Sequence, residues 1–119
     1  MTATTVLAGE RCLIADGSGD PLRDARDLIE AALNERATLV AVPAQRLHPD
    51  FFQLRTGVAG ELLQKMANYR LRVAVIGDMA PYTQASAAFR DFVVECDRGG
   101  DILFVTDLAA LRRRLATAP

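Results

Sequence analysis

The residues best suited to chemistry lie in Arg55-Thr56-Gly57-Val58-Ala59-Gly60-Glu61, a segment that opens a predicted helix. A helix start that carries two glycines one turn apart leaves backbone N–H groups accessible, and such groups bind anions. The segment is not a P-loop, because the Lys-Ser/Thr pair is missing and Lys65 lies two turns further along. Alternatively, Thr56 is an N-cap while Gly57 and Gly60 let the helix lie close to the sheet. The two interpretations are compatible, and both stay open.

Two further candidates follow the predicted strand that ends at Gly77. Asp78 could bind a ligand hydroxyl or a metal, but an Asp that leaves a strand more often caps the following turn. Tyr82, in the same predicted loop, is either a contact for a partner or a cover for the end of the sheet. The candidate binding rim, which includes a hypothetical phospho-switch, therefore consists of Arg55, Thr56, Gly57, Glu61, Asp78 and Tyr82.

Support for catalysis is weak. Ser18 and Ser86 lack the Gly-x-Ser-x-Gly elbow of a serine nucleophile. The one imidazole, His48, precedes Pro49 in a predicted loop, which is typical of a solvated turn residue rather than a general base. No spacing among the carboxylates indicates acid–base chemistry. The sequence thus predicts a protein that is not an enzyme and needs no cofactor.

The composition narrows the partners and the compartment. A formal net charge of −1 gives no global attraction to nucleic acid or to an anionic membrane. Cys12 and Cys96 lie in apolar segments without a pairing motif, so we expect free thiols and a cytoplasmic protein. Two thiols and one imidazole do not complete a usual structural zinc site, so no metal is expected. The partner expected is another protein, and a homo-oligomer is compatible with the sequence.

The chain of 119 residues is predicted to form one domain over residues 1–119. Apolar runs alternate with segments of helical periodicity in the order β-β-α-β-α-β-α-β-α. The predicted strands are residues 4–8, 11–15, 38–42, 72–76 and 102–105. The predicted helices are residues 21–36, capped by Asp20, residues 56–69, residues 84–97, stopped by Gly99-Gly100, and a final helix capped by Asp107.

This order predicts an α/β fold with a five-stranded, mostly parallel mixed sheet and four helices. A hairpin at Gly9-Glu10 makes the first strand antiparallel, at an edge of the sheet. Sites in open parallel sheets form beyond the carboxyl ends of the strands. Three predicted loops meet that description: residues 43–55, 77–83 and 106–107. The first is the longest connection in the chain, which favours a functional role.

The chain resembles a bacterial domain family of unknown function, DUF4180. The resemblance rests on the run from Phe51 to Lys65 (Phe-Phe-Gln-Leu-Arg-Thr-Gly-Val-Ala-Gly-Glu-Leu-Leu-Gln-Lys) and on Tyr69-Arg70. It continues through Val73-Ala74-Val75-Ile76-Gly77-Asp78, through Phe89-Arg90-Asp91-Phe92-Val93-Val94-Glu95 and through Ile102-Leu103-Phe104-Val105. Membership of this family implies no particular activity.

The element order is also similar to that of STAS domains, the fold of bacterial anti-sigma-factor antagonists. Those domains carry Ser-Gly at the start of the helix after the third strand, where a partner kinase phosphorylates the serine. Thr56-Gly57 occupies the matching place, although Arg55-Thr56-Gly57 replaces the usual Asp-Ser-Ser-Gly. The resemblance implies a non-catalytic protein-binding or regulatory module. The alternative is a small-molecule or nucleotide sensor that uses the helix start at Thr56-Gly57. A pocket of several hundred cubic ångströms beside Thr56 would favour the sensor, and a flat, partly apolar rim the protein-binding module.

Overall fold

A computed structural model of the chain describes residues 3–117. Its five strands lie side by side in sequence order: β1 (Ala3–Leu7), β2 (Glu10–Ile14), β3 (Leu39–Pro43), β4 (Arg72–Ile76) and β5 (Ile102–Val105). Strand β1 is antiparallel to β2, and all other neighbours are parallel. The prediction of an α/β fold with a five-stranded mixed sheet and an antiparallel edge strand is confirmed.

The described part of the chain holds five α-helices, one more than predicted. They are α1 (Arg26–Asn34), α2 (Val58–Asn68), α3 (Ala80–Ala85), α4 (Ala87–Gly99) and α5 (Leu108–Thr117). Three short 3-10 helices, Ala44–Arg46, Pro49–Phe52 and Leu54–Thr56, occupy the long connection between β3 and α2.

Helix α3 replaces part of the predicted loop 77–83. Pro81 does not break it, because it lies in the first turn. An N–H at that position has no acceptor within the helix, so the missing N–H of proline costs no hydrogen bond, and the fixed φ angle of proline is already helical. Ser86 then separates α3 from α4, since its backbone is extended and its hydroxyl accepts a hydrogen bond from the Phe89 N–H at 3.1 Å. The predicted helix 84–97 is displaced to α4 for this reason.

Helix α1 begins at Arg26 and not after Asp20, so the predicted cap at Asp20 is wrong. The backbone of Leu22 is hydrogen-bonded to the segment that follows β3. Its N–H donates to the Arg46 carbonyl at 2.7 Å, and its carbonyl accepts from the His48 N–H at 2.9 Å. These bonds hold Leu22 in an extended bridge, which excludes it from a helix.

The turn between β1 and β2 is Ala8-Gly9, one residue earlier than the predicted Gly9-Glu10. Both turn residues have positive φ angles, 51° and 83°, as a type I′ hairpin requires. Alanine resists this conformation, which is why the sequence pattern placed the turn one residue too late.

The predicted end of α4 and the predicted cap at the start of α5 are confirmed. Gly100 has the left-handed φ of 79° that ends α4. The Asp107 carboxylate accepts a hydrogen bond from the Ala110 N–H at 2.7 Å in the first turn of α5.

The two faces of the sheet carry separate apolar clusters. The larger cluster packs helices α1, α2 and α4 on one face, and it includes Phe89, which is fully buried. The smaller cluster packs Leu111 of α5 on the opposite face. Strand β3 is therefore covered on both sides, as its continuous apolar sequence predicts. Cys12 and Cys96 are free and buried, which confirms the prediction for the thiols. No helix within residues 3–117 combines the length and the apolar character that crossing a membrane would need.

Candidate functional site

A cavity of about 530 Å³ lies beyond the carboxyl ends of β3 and β4, between the segment 49–55 and helices α3 and α4. We call it the β3–β4 cavity. Apolar side chains supply most of its walls. Its lining consists of Pro49, Phe52, Gln53, Leu54, Arg55, Tyr82, Ala85, Ser86 and Ala88. Two of the three predicted site loops, residues 43–55 and 77–83, contribute to this cavity.

Aromatic packing fixes the wall of the β3–β4 cavity. Phe51 and Phe52, in the second 3-10 helix, point into the core and are 0% and 5% exposed. The Phe52 ring stacks on the Tyr82 ring with a centroid separation of 3.8 Å and an angle of 9° between the planes. It also meets the Phe89 ring edge-on, at a centroid separation of 5.6 Å. Tyr82 therefore packs against the larger apolar cluster and lines the cavity at the same time.

His48 has a structural role at the entry to this segment. Its Nδ1 atom accepts a hydrogen bond from the Asp50 N–H at 3.1 Å, so it caps the second 3-10 helix. The Asp50 carboxylate is in turn bound by the Arg23 guanidinium at 3.0 Å. His48 is a turn residue, as predicted, but its side chain is only 27% exposed. Because the Asp50 N–H occupies the Nδ1 atom of His48, this nitrogen is not available as a base.

Thr56 is not the N-cap of α2, which corrects one of the two interpretations of this segment. Helix α2 begins at Val58, and Gly57 holds the cap position in the left-handed conformation with φ 81°. The Thr56 hydroxyl lies 2.7 Å from the Asp50 carbonyl oxygen and 2.8 Å from that of Gln53, to which it donates. It accepts from the Val58 N–H at 3.3 Å. Thr56 thus ties the cavity segment to the first turn of α2.

The glycines of this segment do not allow a close approach of the helix to the sheet. A Cβ atom added at Gly57 or Gly60 would meet no other atom within 4 Å. Gly57 is required by its positive φ angle, whereas Gly60 lies in an ordinary exposed helical turn. The packing interpretation of both glycines is therefore wrong.

The six residues of the predicted rim are only partly brought together. Arg55 and Tyr82 line the β3–β4 cavity, and Thr56 and Gly57 directly follow Arg55. Glu61 is exposed on the first turn of α2 and does not line the cavity. Asp78 does not line it either. Its carboxylate accepts a hydrogen bond from the Ala80 N–H at 2.9 Å, so the capping interpretation of Asp78 is confirmed.

The electrostatic character of the cavity is set by one cation. Arg55 is exposed, and its guanidinium has no hydrogen-bond or ion-pair partner among residues 3–117. No aspartate or glutamate belongs to the lining. The Ser86 hydroxyl is held by the Phe89 N–H at 3.1 Å, as the cap of α4. In the described residues, no three His, Cys, Asp or Glu side chains are grouped to hold a metal ion. Ser86, the one aliphatic hydroxyl among the lining residues, is engaged by the Phe89 N–H and has no adjacent histidine in the lining.

Sequence reasoning missed most of the lining. Phe52, Leu54 and Ala85 were not among the candidates, because apolar residues carry no chemistry of their own. Ser86 was considered only as a nucleophile and set aside. One pattern could have found Phe52: two adjacent aromatic residues inside the longest connection of the chain must pack on something. Ala85 and Ser86 could not be found in this way, since helix α3 was itself not predicted.

Fold and site together define an α/β domain with a cavity of ligand size at the carboxyl edge of a mixed parallel sheet. The chain belongs to the family described as Domain of unknown function (DUF4180), which matches residues 7–115. No curated protein and no solved structure matches the chain.

Proposed function

We propose that this chain is a non-catalytic regulatory module that binds a small organic molecule in the β3–β4 cavity. The observation that carries the proposal is the cavity itself. Its volume of about 530 Å³ lies within the roughly 300–1,000 Å³ typical of small-molecule sites. Apolar walls with a few polar groups are also typical of such sites. The cavity adjoins Thr56 through Leu54 and Arg55, so the small-molecule alternative is favoured over a flat protein-binding rim.

The segment 49–57 couples this cavity to the surface. Gln53 lines the cavity, and its carbonyl oxygen accepts from the Thr56 hydroxyl, which in turn holds the Val58 N–H. A ligand that displaces Gln53 therefore alters the start of α2. Thr56 and Glu61 are exposed there, so a partner protein has access to the changed surface. The STAS-like resemblance supports this regulatory role, and the free buried thiols of Cys12 and Cys96 support a reducing, cytoplasmic location.

Phosphorylation of Thr56 is a second way to change the same surface. A phosphate ester would remove the hydroxyl hydrogen that Thr56 donates to Asp50 and Gln53. It would also add nearly two negative charges beside Arg55. Thr56→Asp should mimic both effects, whereas Thr56→Val removes the hydroxyl without adding charge. If a lysate partner is captured by the wild type and by Thr56→Val but not by Thr56→Asp, charge at this position controls binding. Equal capture by all three proteins would make Thr56 purely structural.

The ligand proposal is tested by filling the cavity. Ala85 lines it and is exposed at the end of α3, so Ala85→Trp should occupy the space without disturbing the core. Ala109, exposed on α5 on the opposite face of the sheet, provides the matched control Ala109→Trp. A fragment library is screened against the three proteins by saturation-transfer NMR. Fragments that bind the wild type and Ala109→Trp but not Ala85→Trp support the proposal. A library with no hits, or hits that Ala85→Trp retains, would refute it.

A further inference from the structure

We infer that the β3–β4 cavity selects an organic monoanion, with its carboxylate or equivalent group at Arg55 and a flat apolar body against the Phe52–Tyr82 wall. The inference rests on the proposed function and names the class of ligand. It follows from the charges around the cavity, from the hydrogen bonds and ion pairs that already occupy the neighbouring side chains, and from the chemistry of the walls.

Arg55 lines the cavity, and within residues 3–117 nothing pairs with its guanidinium. Two other arginines already have partners. Arg23 binds the Asp50 carboxylate at 3.0 Å. Arg46 donates to the backbone carbonyl oxygens of Asp16 and Asp20 at 3.0 and 2.9 Å. Arg55 is thus the available cation, and a guanidinium fits a carboxylate with two parallel hydrogen bonds.

No acidic side chain lines the cavity, so an entering anion meets no like charge on its walls. The carboxylate of Asp50, which follows the lining residue Pro49, is compensated by Arg23. An organic cation would meet the opposite situation, because Arg55 would repel it and no lining carboxylate would hold it.

A nucleotide di- or triphosphate needs several cations or a cradle of backbone N–H groups. Only one free guanidinium lines this cavity. A single guanidinium matches one negative charge, which favours a monoanion over a nucleotide di- or triphosphate.

Phe52, Leu54, Tyr82 and Ala88 provide apolar walls. Phe52 is only 5% exposed and supports the half-buried Tyr82 ring from behind, so Tyr82 supplies the aromatic surface that a ligand would meet. Aromatic surfaces favour flat partners through offset or edge contacts. The proposed class is therefore an aromatic or otherwise planar monocarboxylate.

The test uses two probes of nearly equal shape, 2-naphthoate and 2-naphthamide, which differ in charge. Dissociation constants are measured by NMR titration on the wild type, on Arg55→Gln, on Ala85→Trp and on the control Arg113→Gln, which changes an exposed arginine on α5. The wild type and Arg113→Gln should bind the naphthoate about tenfold more tightly than the amide, equivalent to about 1.4 kcal/mol. Arg55→Gln should bind both probes equally, near the affinity of the amide, and Ala85→Trp should bind neither.

The possible failures separate the two claims. If the wild type binds both probes equally, or if Arg55→Gln keeps the preference for naphthoate, the inference about charge is wrong while the cavity remains a ligand site. If Ala85→Trp binds the probes as tightly as the wild type, both the inference and the proposed function are wrong. If the wild type binds neither probe, the assigned ligand class is wrong, and the fragment screen alone decides the proposed function.

Discussion

The two glycines of Gly57-Val58-Ala59-Gly60 should respond to alanine in opposite directions. Gly57 has a φ of 81°, whereas Gly60 is helical, and neither would bring a new Cβ within 4 Å of another atom. Sterics are therefore equal at the two positions, and only the backbone conformation differs. An L-residue in the left-handed region costs about 1–2 kcal/mol, so Gly57→Ala should destabilise the fold by that amount. Gly60→Ala should stabilise it by about 0.5–1 kcal/mol, because glycine in a helix loses more chain entropy on folding.

The measurement is urea unfolding followed by far-ultraviolet circular dichroism. The two variants should differ by about 1.5–3 kcal/mol. With an m-value of about 1–3 kcal/mol per molar urea, the unfolding midpoints should lie on either side of the wild type and be separated by about 1 M. A destabilised Gly60→Ala would mean that the first turn of α2 is not helical at residue 60. A neutral or stabilised Gly57→Ala would place the helix start elsewhere, and the geometry that links Thr56 to the cavity would then be incorrect.

Three further predictions concern the scaffold. Ala8→Asn should raise the free energy of unfolding by about 0.5–1 kcal/mol, because asparagine tolerates the positive φ of this type I′ turn better than alanine; a loss of stability in urea unfolding would contradict the turn assignment. Arg72→Met should lower the free energy of unfolding by about 1–3 kcal/mol, since it leaves the partly buried Glu10 carboxylate without the guanidinium that lies 2.7 Å away. Adding Glu10→Gln should recover part of that loss, and strictly additive effects would show that the pair does not interact. Burial raises the pKa of the Cys12 and Cys96 thiols from 9.0 to about 11, so both should label slowly in the native protein and fully in denaturant. Because the raised pKa values belong to the folded state, stability should fall as the pH rises from 9.0 to about 11; rapid native labelling would contradict the burial.

The sheet could be predicted from the sequence because its strands are uninterrupted apolar runs. Residues 38–42 and 72–76 have almost no polar alternation, and short valine-rich runs of this kind favour strands covered on both faces. The helix stop at Gly100 and the cap at Asp107 depend on local conformation, and these were also predicted correctly.

The elements that were missed depend on contacts between distant segments. Leu22 leaves its predicted helix because its backbone bonds to Arg46 and His48, which lie more than twenty residues away. Helix α3 has six residues, too few to show helical periodicity in the sequence. Tyr82 belongs to that helix, so its stacking on Phe52 could not be foreseen.

The candidate site also combines a residue that local sequence reveals with walls that depend on contacts between distant segments. Arg55 was identified because a charged side chain beside a predicted helix start is visible in the sequence. The cavity that Arg55 lines forms only when the segment 49–55 meets α3 and α4. Its apolar walls carry no functional signal in the sequence, and only the fold brings them together around a cavity.

Chemical-shift mapping tests the central claim most directly, because it locates the ligand. Amide resonances of the ¹⁵N-labelled protein are followed during titration with 2-naphthoate. Binding in the β3–β4 cavity should shift the amides of residues 50–58 and 82–89 and leave those of α5 unchanged. Shifts concentrated instead beside the exposed side chains of Leu33 and Tyr69, where α1 and α2 form a separate groove, would contradict it.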